Sequence, residues 1–476
     1  MPDSLTSTAI VALSGVAALV LLSALRKARA RGEWSGAATF GLVTVMLSTT
    51  FVELVVTHLG LWSKIRGPYK GVTWVVPDIA HQFMRLQAIV LTLIAATLFI
   101  VQLKRGRTLI NLPAVLFVLV GVVSAESALL HGDNPFRPIS IVLFAVAFAC
   151  MVAPRGLGIH IGIGTACMIA AIASGLTFVA QQDFSVFACA GDIAVSASDK
   201  CGLLGFNFRG IIENENALAM LFALAMPFVY IGFGSWEGTV LATYLFGLIL
   251  MTGSRSGMTA GAVTFLALIL LRPNIRQASA ARIRTRLTYF GLASLLVVGF
   301  VMPFLATDPN AYHGRAGLWL MVRARLADPD TLLYGAGMLG WQHVRDSGLI
   351  DVNASYSVHN QWLQVLFTTG LLGLLLFLAA LGVLVWQARP HYSLVLGCVL
   401  TPVFVLALTE QPWPLDSSDW LTWSIPAALL CYPGARRRSA EEDPQSEHSQ
   451  FETATDGHRE DELSSSIWRV DLETAT

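Results

Sequence analysis

Apolar residues in this chain do not alternate with polar ones but come in continuous runs, which begin near Thr6, Gly36, Met84, Thr108, Pro138, Gly158, Glu215, Thr239, Gly257, Thr288, Asn360, Tyr392 and Asp419. Such runs match the roughly 20 residues that a helix needs to cross a hydrocarbon core about 30 Å thick. A barrel would show alternating segments of about ten residues instead. With no water in the bilayer, each crossing must also satisfy its backbone internally, as a helix does. The pattern predicts an all-α, polytopic integral membrane protein with about 13 transmembrane helices. Residues 1–438 form the polytopic domain. Residues 439–476, rich in Glu, Asp, Ser and Thr, bury too little apolar surface to offset their ordering entropy and read as a disordered acidic tail.

Basic clusters at 26–31, 104–107, 272–286 and 436–438 fall on one side of a chain with thirteen crossings. The positive-inside rule makes that side the cytoplasm. The N-terminus is then outside, the tail inside, and three long loops, 63–82, 181–214 and 306–358, face out. No small-residue cleavage site precedes the first basic cluster, so the first run reads as an uncleaved helix.

Composition narrows the classes. The chain is 55% hydrophobic and 13% charged, against roughly 25% charged in soluble domains. Its 31 basic and 31 acidic residues cancel, which leaves no field to attract nucleic acid. Eleven of the acids lie in the tail, so the body holds 29 bases against 20 acids. A DNA-binding protein and a cytosolic enzyme are both excluded. Six cysteines without CxxC or Cys/His spacing give neither a disulfide scaffold nor a zinc site. Cys189 and Cys201 alone fall in an outward loop, where an oxidising exterior predicts a disulfide between them.

On a positive-inside chain, arginines on the outer side carry information. Arg209 precedes the run from Glu215, Arg255 sits in a very short turn between two runs, and Arg315, Arg323, Arg325 and Arg345 lie in the largest loop. A guanidinium fork matches phosphate oxygens in pairs, so several in one layer suit a lipid pyrophosphate. Taken singly, Arg323, Arg325 and Arg345 read better as side chains that snorkel to headgroup phosphates. Arg255 differs, because Ser254-Arg255-Ser256-Gly257 leaves its charge at the hydrocarbon boundary, where function is the default reading. Residues 315–326 read as an interfacial amphipathic helix, with Leu318, Val322 and Leu326 in one stripe and Arg315, Trp319 and Arg323 beside it. Asp328-Pro329-Asp330 looks like a metal-binding DxD but, with its proline, reads as a turn. His359-Asn360 stands where the loop re-enters the membrane. An imidazole there can take a proton near neutral pH, although a lone histidine in that place is more often a cap. His313, His343 and His359 lack metal spacing. The glycines at 158, 162 and 164 read as close helix packing.

Taken in order, these elements resemble the O-antigen ligase and O-antigen polymerase superfamily of bacterial surface polysaccharide assembly. The matched stretch, about 205–373, includes Asn214-Glu215-Asn216-Ala217-Leu218-Ala219, Ser254-Arg255, Gly314-Arg315 with Trp319, Gly335-Ala336-Gly337, and His359-Asn360 followed by Gly370 and Gly373. Glu215 stands where the family has proline, so that helix start departs from the pattern. The resemblance implies a multi-pass protein of the bacterial inner membrane. It implies inverting glycosyl transfer without metal or other cofactor, on the outer face, from an undecaprenyl-pyrophosphate-linked glycan to an acceptor hydroxyl on a glycan or lipid. His359 would be the base and Arg255 and Arg315 the pyrophosphate ligands, with Arg209, Asn216, Arg323 and Asn360 binding substrate. Membrane lipids are the other expected partners, and nucleic acid is not one. The alternative is a transporter or flippase of the same lipid-linked glycan, which would place ionisable groups on broken helices near the midplane. Glu53 and Glu126 are the acids well inside predicted spans. The bases lie on one face instead of lining a path, which favours the enzyme.

Overall fold

The structure is a computed structural model that describes residues 4–46, 49–66, 72–75, scattered positions between 82 and 104, 112–133, 157–189, 201–212, 214–273, 282–312, 314–337, 339–347, 358–388 and 390–413. The runs expected from Pro138 and Asp419, most of the run from Met84, and the tail lie outside the described residues.

The helices are α1 (Ser4–Ala30), α2 (Gly36–Met46), α3 (Thr49–His58), α4 (Leu112–Leu130), α5 (Leu157–Ala180), α6 (Gln182–Ser185), α7 (Glu215–Phe233) and α8 (Ser235–Met251). They continue with α9 (Arg255–Leu271), α10 (Arg282–Leu305), α11 (Arg315–Arg325), α12 (Pro329–Tyr334), α13 (Gly340–Asp346), α14 (Gln361–Gln387) and α15 (Pro390–Leu406). Six of these, α1, α4, α5, α7, α10 and α14, are long and apolar enough to cross a membrane. The shorter apolar helices α2, α8, α9 and α15 pack among them. The chain is thus a mostly helical membrane protein.

Burial follows from the solvent. Helix α7 is enclosed by α5, α8, α9 and α15 and is buried along nearly its whole length, whereas α10 turns large apolar side chains outward, Phe290 at 74% exposure among them. Lipid supplies no hydrophobic drive between helices, so small residues that let backbones approach take over. A Cβ on Gly162 would lie 2.0 Å from the Ala38 carbonyl oxygen of α2, and one on Gly232 2.9 Å from the His160 backbone. The glycines of α5 therefore serve packing, as their spacing predicts.

Two β-hairpins depart from an all-α fold. β1 (Ser63–Arg66) pairs with β2 (Val72–Val75), and β3 (Val186–Ala188) pairs with β4 (Phe206–Phe208), both antiparallel. Both fall in the loops expected outside the bilayer, where backbone groups need not be satisfied within one helix. Cys189 and Cys201 join as a disulfide at the neck of the second hairpin, with Cα atoms 5.2 Å apart. Phe208 stacks on Phe178 at 4.8 Å between ring centroids, which seats that hairpin on the end of α5.

Helices α1 and α8 run antiparallel, with Ser14 hydrogen-bonded to Tyr244 at 2.8 Å and Lys27 paired with Glu237. Since α9 reverses from α8 after three residues, the bases at the end of α1 and those around Arg272 lie at one end of the bundle. Arg255 lies at the other.

Candidate functional site

The turn between α8 and α9 is built for rigidity. Thr252 Oγ1 donates to the Ile249 carbonyl at 2.7 Å and accepts from the Ser254 amide at 3.2 Å. The Ser254 hydroxyl then caps α9 by accepting from the Gly257 amide at 3.2 Å. Arg255 becomes the first residue of α9 and is exposed, while Ser256 turns inward. Gly257 lets the first turns of α9 and α7 lie side by side, since a Cβ there would come 2.2 Å from Ala219 Cβ. Asn216 is thereby brought into the same layer. It follows the cap Asn214, whose side chain accepts from the Asn216 amide at 2.7 Å.

Helix α11 ends at Arg325, with Leu326 as its cap. Of the expected stripe Val322 and Leu326 are buried and Leu318 only partly so, and the buried face extends to Ala316 and Trp319. Trp319 is fully buried because its indole N–H finds the Val358 carbonyl at 2.9 Å. That bond ties α11 to the residue before His359. Arg323 donates to the Ala306 carbonyl at 2.9 Å, just beyond the end of α10.

His359 has a φ of 51°, a left-handed conformation that costs a side-chain-bearing residue of order 1–3 kcal/mol unless its surroundings hold it. They do. Asn360 is buried, caps α14 by accepting from the Leu363 amide at 2.9 Å, and donates to the carbonyls of Gly299 (2.9 Å) and Leu408 (3.1 Å). Gln361 exchanges two side-chain bonds with the Trp413 backbone, at 2.9 and 3.0 Å, and its own amide donates to the Ala407 carbonyl at 3.1 Å. Together these clamp the turn after α15 onto the start of α14.

That turn carries Glu410, which sequence reasoning missed. Its carboxylate is 8% exposed and gathers three elements. Oε1 accepts from the Ser256 hydroxyl at 2.9 Å and from Arg315, and Oε2 lies 3.1 Å from His359 Nδ1. Burial alone pushes this carboxyl up. The His359 hydrogen bond, the Arg315 charge and the Ser256 hydroxyl outweigh it and hold the group below the ordinary carboxylate value. An ionised carboxylate can only accept, so Nδ1 donates, and in the neutral imidazole Nε2 is the nitrogen that keeps its lone pair. His359 keeps 31% of its side chain exposed.

The arrangement thus unites Arg315 and His359 through Glu410, with Arg255 one residue from Ser256. Arg209 is buried, donates to the Phe184 carbonyl and stacks over the Phe184 ring at 4.2 Å, so it braces the disulfide hairpin. Asp328 caps α12 and Pro329 follows as its first residue, which makes Asp328-Pro329-Asp330 a helix start. The hydrogen bonds from Thr331 hold the Asp328 carboxyl below its ordinary value. His313 and the side chain of Arg345 lie outside the described residues.

Close by is an apolar groove of about 700 Å3 between α1 and α8, which runs from Ala17 and Val240 to Leu203, Leu204 and Met251. Met251 is four positions ahead of Arg255.

No family model matches the chain. A stretch of 157 residues, 29% of the chain, is 28% identical to a protein of Rickettsia bellii (strain RML369-C) named "Putative polysaccharide ligase". The match spans 36% of that relative's length.

Proposed function

We propose that this protein transfers a glycan from an undecaprenyl-pyrophosphate donor to an acceptor hydroxyl, as a ligase or polymerase of surface polysaccharide working at the outer face of a bacterial inner membrane. The observation that carries the reading is the Glu410 carboxylate, which holds Ser256, Arg315 and His359 from three separate helix starts. Its geometry follows the logic of a carboxylate–histidine pair, in which the acid fixes the tautomer and the far nitrogen acts as base.

The acceptor O–H gives its proton to His359 Nε2 while its oxygen bonds to the anomeric carbon. The bond from that carbon to the pyrophosphate oxygen breaks, and the electron pair leaves with the lipid pyrophosphate. Attack opposite the leaving group inverts the centre. Pyrophosphate is already a good leaving group, so arginines aimed at its developing charge can stand in for a metal. Arg315 has further N–H groups beyond those directed at Glu410. Arg255 opens the first turn of α9, where the helix dipole and backbone N–H groups favour an anion such as pyrophosphate. The groove between α1 and α8 suits the isoprenoid tail. The likeness to a protein named as a polysaccharide ligase supports the same class.

The test incubates purified protein in detergent with a lipid-linked oligosaccharide and an acceptor glycan, and separately measures flux of the donor in liposomes. Transfer with inverted anomeric configuration is expected. His359→Gln should transfer at least about 10²-fold more slowly while still binding donor. Flux without transfer would replace the enzyme reading with that of a flippase.

A further inference from the structure

A second polar cluster lies away from Glu410. His131, Arg325, Thr331, His343, Val344 and Phe367 line a cavity of about 190 Å3 where the end of α4 meets α11, α12 and α13. His131 Nδ1 lies 2.8 Å from the Ser127 carbonyl oxygen, which can only accept, so this nitrogen donates and in the neutral ring Nε2 is the acceptor. His343 Nε2 lies 3.1 Å from Asp133 Oδ2, which in the neutral ring makes Nδ1 the acceptor. Arg325 adds charged donors. Phe367 is fully buried and pairs with Trp341 at 5.4 Å between ring centroids, which fixes the packing behind the cavity.

We propose that this cavity is a carbohydrate-binding subsite that holds a sugar of the acceptor glycan. A sugar hydroxyl donates and accepts at once, and the ring carries an apolar C–H face. Two imidazole acceptors and a guanidinium donor answer the hydroxyls, and the apolar lining at Ala336 answers the C–H face. A small anion would meet the same Arg325, but it would also face the imidazole lone pairs of His131 and His343. A pocket of a few placed polar groups on an apolar wall is the usual form of a small-ligand site.

Helix α11 supplies the distance. Arg315 at its first position reaches Glu410 and Arg325 at its last lines the cavity. Ten steps of 1.5 Å separate them, about 15 Å. A short oligosaccharide laid along α11 would place one sugar in the cavity and a hydroxyl of another at His359 Nε2. The assignment to the acceptor rests on the transfer reading, whereas sugar binding does not.

The experiment measures binding of a fluorescently labelled oligosaccharide, released by mild acid from the host's own surface polysaccharide, to the full-length protein in detergent. Arg325 and His343 are exposed, so Arg325→Met and His343→Leu remove polar groups without disturbing the core. Each is expected to weaken binding by about tenfold or more, and Ser294→Ala, at an exposed position of α10 that does not line the cavity, to leave it unchanged. Absence of binding by the wild type, equal binding by the two cavity variants, or an equal loss in Ser294→Ala would each overturn the proposal. If binding follows the cavity variants but the wild type transfers no glycan, the subsite stands and the transfer reading falls.

Discussion

Glu410→Gln isolates the charge of the hub while keeping its shape. The carboxylate accepts at Oε1 from Ser256 and Arg315 and at Oε2 from His359. A glutamine has one acceptor oxygen and one donor nitrogen. With its oxygen kept toward Ser256 and Arg315, its NH2 faces His359 Nδ1, and the imidazole must move its proton to Nε2. A protonated Nε2 cannot take a proton from the acceptor. The flipped amide is worse, because its NH2 would then face Arg315. General base catalysis contributes about 10² to 10⁴-fold, and a wrong tautomer in a Ser–His–Asp triad costs about 10⁴. Turnover should therefore fall by about 10³, with KM for donor little changed because both arginines remain. The assay is glycan transfer from a lipid-linked oligosaccharide, followed over donor concentration and pH. Thermal unfolding gives a second readout. Since the folded carboxyl sits below its ordinary value of 4.5, the stabilisation it contributes is fully present above 4.5 and is lost as pH falls through the folded value. The melting difference between wild type and Glu410→Gln should hold steady above that point and narrow below it. Turnover within about tenfold of wild type would refute the hub as the source of the base.

Three further outcomes are expected. Arg255→Ala and Arg315→Ala should each lower transfer by about 10² or more while the protein inserts normally, and lysine should restore only part, because a point charge cannot reproduce the paired fork; normal glycan products would remove that arginine from the site. Cys189→Ser should cost roughly 2–4 kcal/mol of order in the β3–β4 hairpin, read as faster proteolysis within 189–201; unchanged cleavage would refute it. Gly370→Ala combines a φ of 66° with a Cβ 2.2 Å from the Leu333 carbonyl oxygen, and should lower thermal stability by about 2 kcal/mol or more as α12 is pushed from α14; a stability loss under about 0.5 kcal/mol, ordinary for a tolerated site, would refute it.

What was legible in the sequence depended on how local its cause is. Continuous apolar runs give helices because the bilayer permits little else, and α1, α5, α7, α10 and α14 lie within or across the runs that predict them. The Cys189–Cys201 pair was legible because the other cysteines fall in or beside predicted spans. The hairpins were not, since β3 and β4 are joined across seventeen residues and pairing at that range leaves no periodic trace. Helix α11 covers the predicted residues and buries Val322 and Leu326 of the predicted stripe, but spacing could not show that Trp319 is buried and Leu318 only partly so. Trp319 fits either neighbouring stripe until the Val358 carbonyl supplies a partner for its N–H. The glycines at 335 and 370 likewise carry meaning only together, because each occupies the space that a side chain on the other would need.

Glu410 shows why the centre of the site escaped a reading that found its edges. An acid just past an apolar run looks like any interfacial residue, and its significance lies in what Asn360 and Gln361 do to the turn that bears it. They bond the backbone of residues 407, 408 and 413 and bring the carboxylate against the start of α14. A buried charge in that place is strongly unfavourable without partners, so Arg315, Ser256 and His359 are needed for the turn to hold as much as for any reaction. His359, in turn, keeps its left-handed backbone only while the clamp holds. The orientation of the proposed base and the stability of this end of the bundle are therefore one set of interactions. A variant that loosens the clamp without touching the carboxylate, such as Gln361→Ala, should lower both together, whereas Glu410→Gln, which keeps the clamp, should lower turnover far more than stability.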